Sequence, residues 1–119
     1  MKRDPDLVRE LLLLLEASPK LHGNPPLPAG RTEDDVNHHL ALMIEAGLIN
    51  GHISQTMGRD VPAVLVNGIT WDGYEFLDAA RDSERWQKAK AIAGGAGGVA
   101  LGVLKQLLMD LAKKHLGLP

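Results

Sequence analysis

The sequence predicts an α+β fold, mostly helical, with one short β-hairpin set between two helices and two further helices at the C-terminal end. Three observations carry this expectation. Thr32 followed by Glu33, Asp34 and Asp35 is a helix start, since the hydroxyl can accept from a first-turn amide and the acids sit at the positive end of the helix dipole. Two short strand-like stretches, His52 to Gln55 and Ala63 to Val66, flank the polar tip Met57-Gly58-Arg59-Asp60. Apolar residues recur at helical spacing on both sides of that hairpin and again near the C-terminus.

With 119 residues, 45% of them apolar, the chain can bury one core and reads as a single domain over 1–119, divided into a core unit over 1–82 and a helical extension over 83–119. Only 3% of residues are aromatic, so Leu, Ile, Val and Ala must build most of that core. The absence of cysteine removes disulfides and thiolate chemistry and suits a reducing cytoplasm.

Helix one starts with Asp4 as N-cap and Pro5 at the first helical position and runs to about Ala17. Val8, Leu11, Leu12 and Leu15 form its core stripe, Leu7 and Leu14 widen it, and Leu13 falls off it, either as an ordinary exposed leucine or as a partner contact. Between Ser18 and Arg31 lie four of the seven prolines, at 19, 25, 26 and 28, with Gly23 and Gly30. Such a run cannot stay helical, so an extended segment around Leu27 is expected where a compact three-helix unit would place a short bracing helix.

The helix that starts at Thr32 buries Val36, Leu40, Met43 and Ile44 and turns Asp34, Asn37, His38, Ala41 and Glu45 to the other side. Gly47 suits the left-handed position that ends it, and Leu48-Ile49 begins a strand. Asn67-Gly68 predicts a further turn after the hairpin. Thr70 then caps a helix with Tyr74, Phe76, Leu77 and Ala80, for which Trp71 is expected to be a core anchor. Ser83 is expected to cap a helix carrying Trp86, Ala89 and Ile92, and a last helix runs from about Val99 to His115. Gly94, Gly98 and Gly102, four residues apart, suit either a hinge between those two helices or a close helix-packing seam.

Helix, hairpin and helix in this order over residues 31–78 are the parts of a winged helix, with the hairpin as its wing. The run from Val36 to Ile49, with Glu45-Ala46-Gly47-Leu48-Ile49 at its end, resembles the third helix and first wing strand of MarR- and PadR-type regulators. Ile69 to Leu77 resembles the segment after the wing in those families. The opening Met-Lys-Arg-Asp-x-Asp-Leu-x-Arg, present as Met1 to Arg9, is similar to an uncharacterised family of small phage and prophage proteins. The resemblances imply the fold, a phage-related origin and hence the cytoplasm of a bacterial host; the closer family supplies no site residues.

Charge is distributed unevenly. Residues 31–76 hold two basic and seven acidic groups, or −5, whereas residues 81–119 hold seven basic and three acidic groups, or +4. A simple winged-helix DNA reader has the opposite polarity. No secretory signal is expected, because Met1-Lys2-Arg3 is followed by Asp4 and Asp6. The longest uncharged stretch, 91–104, has 14 residues, short of the roughly 18 to 20 that span a bilayer, so no membrane is expected as a partner.

No catalytic, cofactor or metal site is legible. His38 and His39 are adjacent and point about 100° apart on a helix, so they cannot share one metal. Ser18, Ser54 and Ser83 lack a nucleophile-elbow context, and no small-molecule substrate is implied. Two non-enzymatic functions follow. As a DNA-binding transcriptional regulator, the chain would read bases with Asn37 and His38 and hold phosphates with Arg31 and Arg59. As a protein-binding module, for example a phage-encoded inhibitor of a host defence complex, it would engage a basic groove through Glu33, Asp34, Asp35, Glu45 and Asp60. The broad apolar arc of the last helix, with Leu101, Leu104, Leu108 and Leu111, is expected to form a homodimer contact or to pack on helix one, since exposed it would be a large hydrophobic patch.

Overall fold

The computed structural model describes residues 2–20, 23–55, 58, 60–92, 106–111 and 113. In chain order the elements are α1 (Pro5–Ala17), α2 (Glu33–Glu45), β1 (Ile49–Ser54), β2 (Ala63–Ile69), α3 (Trp71–Ala80) and α4 (Ser83–Ile92), with 106–111 also helical. The fold is α+β and mostly helical, and its two strands form one antiparallel hairpin. The Gly94–Gly98 stretch and Arg59 lie outside the described residues, as do Leu101 and Leu104.

Helix α1 begins as its sequence requires: the Asp4 side chain accepts from the Asp6 amide at 3.0 Å, and Pro5 follows it. Leu7, Val8, Leu11 and Leu12 are buried, and Leu15 packs at the core margin. Leu13 also packs there, half-buried, so its expected exposed position is corrected.

Helix α2 is capped by Thr32, whose Oγ1 accepts from the Asp35 amide at 3.1 Å. It ends in a Schellman motif. Gly47 takes φ 77°, its amide donates to the Ile44 carbonyl at 3.0 Å, and the Leu48 amide donates to the Met43 carbonyl at 2.9 Å. Met43 and Leu48 are both buried, which supplies the apolar contact that accompanies such a turn.

The hairpin register pairs Ile53 with Val64 and His52 with Leu65, so Val64 and Val66 face the core while Leu65 faces outward. Asn67-Gly68, expected as a turn, instead lies within β2 where the register shifts: Asn50 opposes Gly68, but Gly51 opposes Val66. The extra residue is a bulge, which lets the strand bend toward α3 without ending. The Pro-rich run is extended, as its composition requires, and it covers the outer edge of β2. Gly23 donates to the Val66 carbonyl at 3.0 Å, while the Asn24 side chain donates to the Val64 carbonyl and accepts from the Val66 amide, both at 2.8 Å. One amide side chain thus satisfies an edge that would otherwise be open.

Phe76 and Leu77 of α3 are fully buried. Trp71 is not the core anchor expected of it: at the first position of the helix it is 80% exposed. Trp86 of α4 fills that role, 1% exposed, with its ring edge-on to Phe76 at 6.1 Å between centroids. The cap of α4 is Asp82 rather than Ser83, since its Oδ1 accepts from the Arg85 amide at 2.9 Å. Leu108 is 0% exposed and belongs to the same core as α1 to α4. This is packing within the chain, the alternative expected beside a dimer contact, and Leu111 is half-buried against the same core.

Candidate functional site

The surface that the sequence singles out is α2, the hairpin and the start of α3. Two contacts fix where these elements meet. The Thr70 amide donates to the Leu48 carbonyl at 3.0 Å, and the Thr70 hydroxyl donates to the Gly47 carbonyl while accepting from the Gly73 amide. A single threonine therefore caps α3 and ties its first turn to the last turn of α2. Gly73 permits this approach, because a Cβ there would overlap the Leu48 carbonyl oxygen and meet Ile69 Cγ2 at 2.7 Å.

Glu33, Asp34 and Glu45 are exposed on α2, Asp35 is half-exposed, and Asp60 is exposed beyond the hairpin tip. From residue 32 to residue 80 the sequence holds one Lys or Arg, Arg59, so the described part of this face carries none. Of the residues expected to contact DNA, Arg31 is directed elsewhere: its Nη2 lies 2.8 Å from Asp4 Oδ2, and its side chain is 26% exposed. Arg31 thereby joins the start of α1 to the turn before α2, where its own amide donates to the Pro28 carbonyl at 3.2 Å. Asn37 is half-buried and lines a cleft of about 290 Å³ with Asn24, Leu27 and Glu33. His38 is half-buried against His39, ring edge to ring face at 5.5 Å. Burial, aided by the neighbouring His39, pulls the His38 pKa below its ordinary value despite Asp35 and Glu45 nearby. At neutral pH His38 is therefore an uncharged ring.

Sequence reasoning missed His39, which is 1% exposed. Its Nε2 accepts from the Asp4 amide at 2.9 Å, and its Nδ1 lies 2.8 Å from the Asp35 carbonyl, which fixes the proton on Nδ1. The signal was present, since His39 stands three residues after Val36 and four before Met43 on the buried arc of α2. Together Arg31 and His39 organise the N-termini of α1 and α2. Beside them Lys2 and Arg3 border a polar depression of about 350 Å³.

The remaining cations of the described fold are largely engaged in holding it together. Arg9 donates to the Ala80 and Arg81 carbonyls at 2.7 and 3.0 Å, closing the end of α3. Arg81 pairs bidentately with Glu16 at 2.7 and 2.8 Å and with Asp78 at 2.9 Å. Lys90 and the Trp86 indole both donate to Asp6 Oδ1 at 2.7 Å. Burial pushes the Asp6 carboxyl upward, but these two donors and the Lys90 charge outweigh it and leave the pKa lowered. Among the described residues no group of three His, Cys, Asp or Glu side chains is placed to hold a metal, and no helix is long and apolar enough to cross a membrane.

A family described as "Hypothetical protein (DUF2513)" matches residues 2–99, which takes in every element from α1 to α4. An "Uncharacterized protein" of Haemophilus influenzae is 31% identical over 120 residues, covering 98% of this chain and 99% of the relative. The chain belongs to the DUF2513 family. No solved structure matches it.

Proposed function

We propose that this member of the DUF2513 family is a non-enzymatic protein-binding module built on a winged-helix plan, whose α2 face engages a basic groove on a partner protein. The observation that carries the proposal is electrostatic. Where a duplex reader presents cations, α2 presents Glu33, Asp34 and Asp35 in its first turn and Glu45 in its last, with no Lys or Arg between them. A duplex carries about one negative charge per 1.7 Å of axis, so these carboxylates would be driven away from it and toward a basic protein surface. A nucleic-acid-binding groove of a host complex, of the kind a phage-encoded inhibitor would occupy, has the matching chemistry.

The duplex-reading alternative rests on the helix, hairpin and helix order and on Asn37 and His38 as base contacts. It would need Arg31 to leave Asp4 and an uncharged His38 to act without a positive charge. The two functions separate in a pull-down from nuclease-treated host lysate with the parent chain and a Glu33→Gln/Glu45→Gln/Asp60→Asn variant. A stoichiometric protein partner retained by the parent and lost by the variant is the expected result. Retention that vanishes on nuclease treatment would favour the duplex reader.

A further inference from the structure

The four aromatic residues of the chain divide into two pairs. Phe76 and Trp86 are buried against each other, whereas Trp71 is 80% and Tyr74 is 43% exposed. Trp71 and Tyr74 stand at i and i+3 on α3, neighbours on one helix face. Glu75, at i+4 from Trp71, falls on the same face, and Asp72 flanks it. Asp78, one turn further, is already paired with Arg81. The Thr70 hydroxyl ties the first turn of α3, where this face begins, to the exposed Gly47 after α2.

We propose that Trp71 and Tyr74, with Glu75 and Asp72, form an anchor site for an arginine side chain of a basic partner segment. This deepens the protein-binding function above and rests on it. Two chemistries on the page select the occupant. An exposed indole and phenol offer π faces to a planar guanidinium, and the Glu75 carboxylate, one turn from Trp71 with Asp72 three residues before it, accepts its N–H groups. The chain already sets a guanidinium over an indole internally, since Arg9 Cζ lies 6.0 Å from the Trp86 ring centroid. Among the described residues Trp71 has no such cation. Arg81, the next cation along the chain, is held by Glu16 and Asp78, whereas Asp72 and Glu75 beside Trp71 are acidic. An apolar or anionic occupant would leave those carboxylates uncompensated. Because the indole is exposed, its removal leaves the fold in place, so loss of binding reports on docking.

The test is titration of the full chain with a short alternating Arg-Gly peptide, followed by tryptophan emission and calorimetry, with matched Lys-Gly and Glu-Gly peptides alongside. Trp71 is solvent-exposed and Trp86 is buried, so a shift on binding reports Trp71. The Arg-Gly peptide is expected to shift the emission, the Lys-Gly peptide to bind more weakly and the Glu-Gly peptide not at all. Trp71→Ala should weaken the Arg-Gly peptide about tenfold at an unchanged melting temperature. Glu75→Gln should weaken it less, while the Glu33→Gln/Glu45→Gln/Asp60→Asn variant should retain the emission shift. Affinity unchanged in both Trp71→Ala and Tyr74→Ala, or absence of any peptide binding by the parent, overturns the anchor site. Lysate capture lost in the α2 variant but unaltered in Trp71→Ala would likewise reject the anchor while leaving the α2 face intact; no capture by the parent would reject the protein-binding function itself.

Discussion

Replacing Gly73 by alanine sets two physical effects against each other. Helix propensity alone makes the change favourable by about 1 kcal/mol, because glycine is a poor interior helix residue. The packing opposes it. The new Cβ would overlap the Leu48 carbonyl oxygen, the same atom that accepts from the Thr70 amide at 3.0 Å, and would press on Ile69 Cγ2. Relief requires α3 to withdraw, at the roughly 1–3 kcal/mol typical of overpacking, and weakens a hydrogen bond of about 0.5–1.5 kcal/mol. Gly73→Ala should therefore destabilise the chain by about 2 kcal/mol in urea unfolding followed by far-UV circular dichroism. The same withdrawal should leave Arg-Gly peptide binding unaltered, since Trp71, Asp72, Tyr74 and Glu75 move together on α3. An alanine variant more stable than the parent would refute the close approach of α3 to Leu48.

Three further outcomes follow from the core and its polar contacts. Trp86→Phe keeps an aromatic ring but removes the donor to Asp6, and should cost about 1–2 kcal/mol, whereas Trp86→Ala should cost about 3–5 kcal/mol; both are read by urea titration. His39→Leu leaves the Asp4 amide without its acceptor and should destabilise by about 1–3 kcal/mol in the same assay. Stability should fall with acid in two stages. The lowered pKa of His38 means the unfolded chain takes up a proton first, so stability declines as pH drops below about 6.5 and levels off below the depressed folded value. Asp6 and Glu16 are also lowered in the fold, so their contribution is present above about pH 4 and is lost as pH falls through their folded values. His38→Ala should remove the first stage alone.

Local rules made the elements legible. Asp4 and Thr32 act as the caps their positions suggest, Thr70 does the same for α3, and Gly47 takes the left-handed turn that a residue without Cβ permits. What stayed hidden depends on neighbours distant in sequence. Trp71 and Trp86 look alike as hydrophobic residues in helices; only the position of α1, whose Asp6 receives the Trp86 indole, decides which one is buried. Arg31 looked like a phosphate contact because its partner, Asp4, is brought to it by tertiary packing. The role of Asn24 as a substitute for a third strand needed the register of β2. The acidity of the α2 face, by contrast, was fully visible in the sequence, since exposed positions at the ends of a capped helix are set by spacing alone.

The most direct test of the central claim is fluorescence anisotropy with a labelled, random-sequence DNA duplex at low salt, where electrostatic attraction to phosphate is strongest. An acidic α2 face with Arg31 held by Asp4 predicts no binding at any protein concentration at which the Arg-Gly peptide is bound. Duplex binding that weakens steeply as salt is added would mean that cations do reach the phosphates, and would contradict the assignment of this face to a basic protein partner.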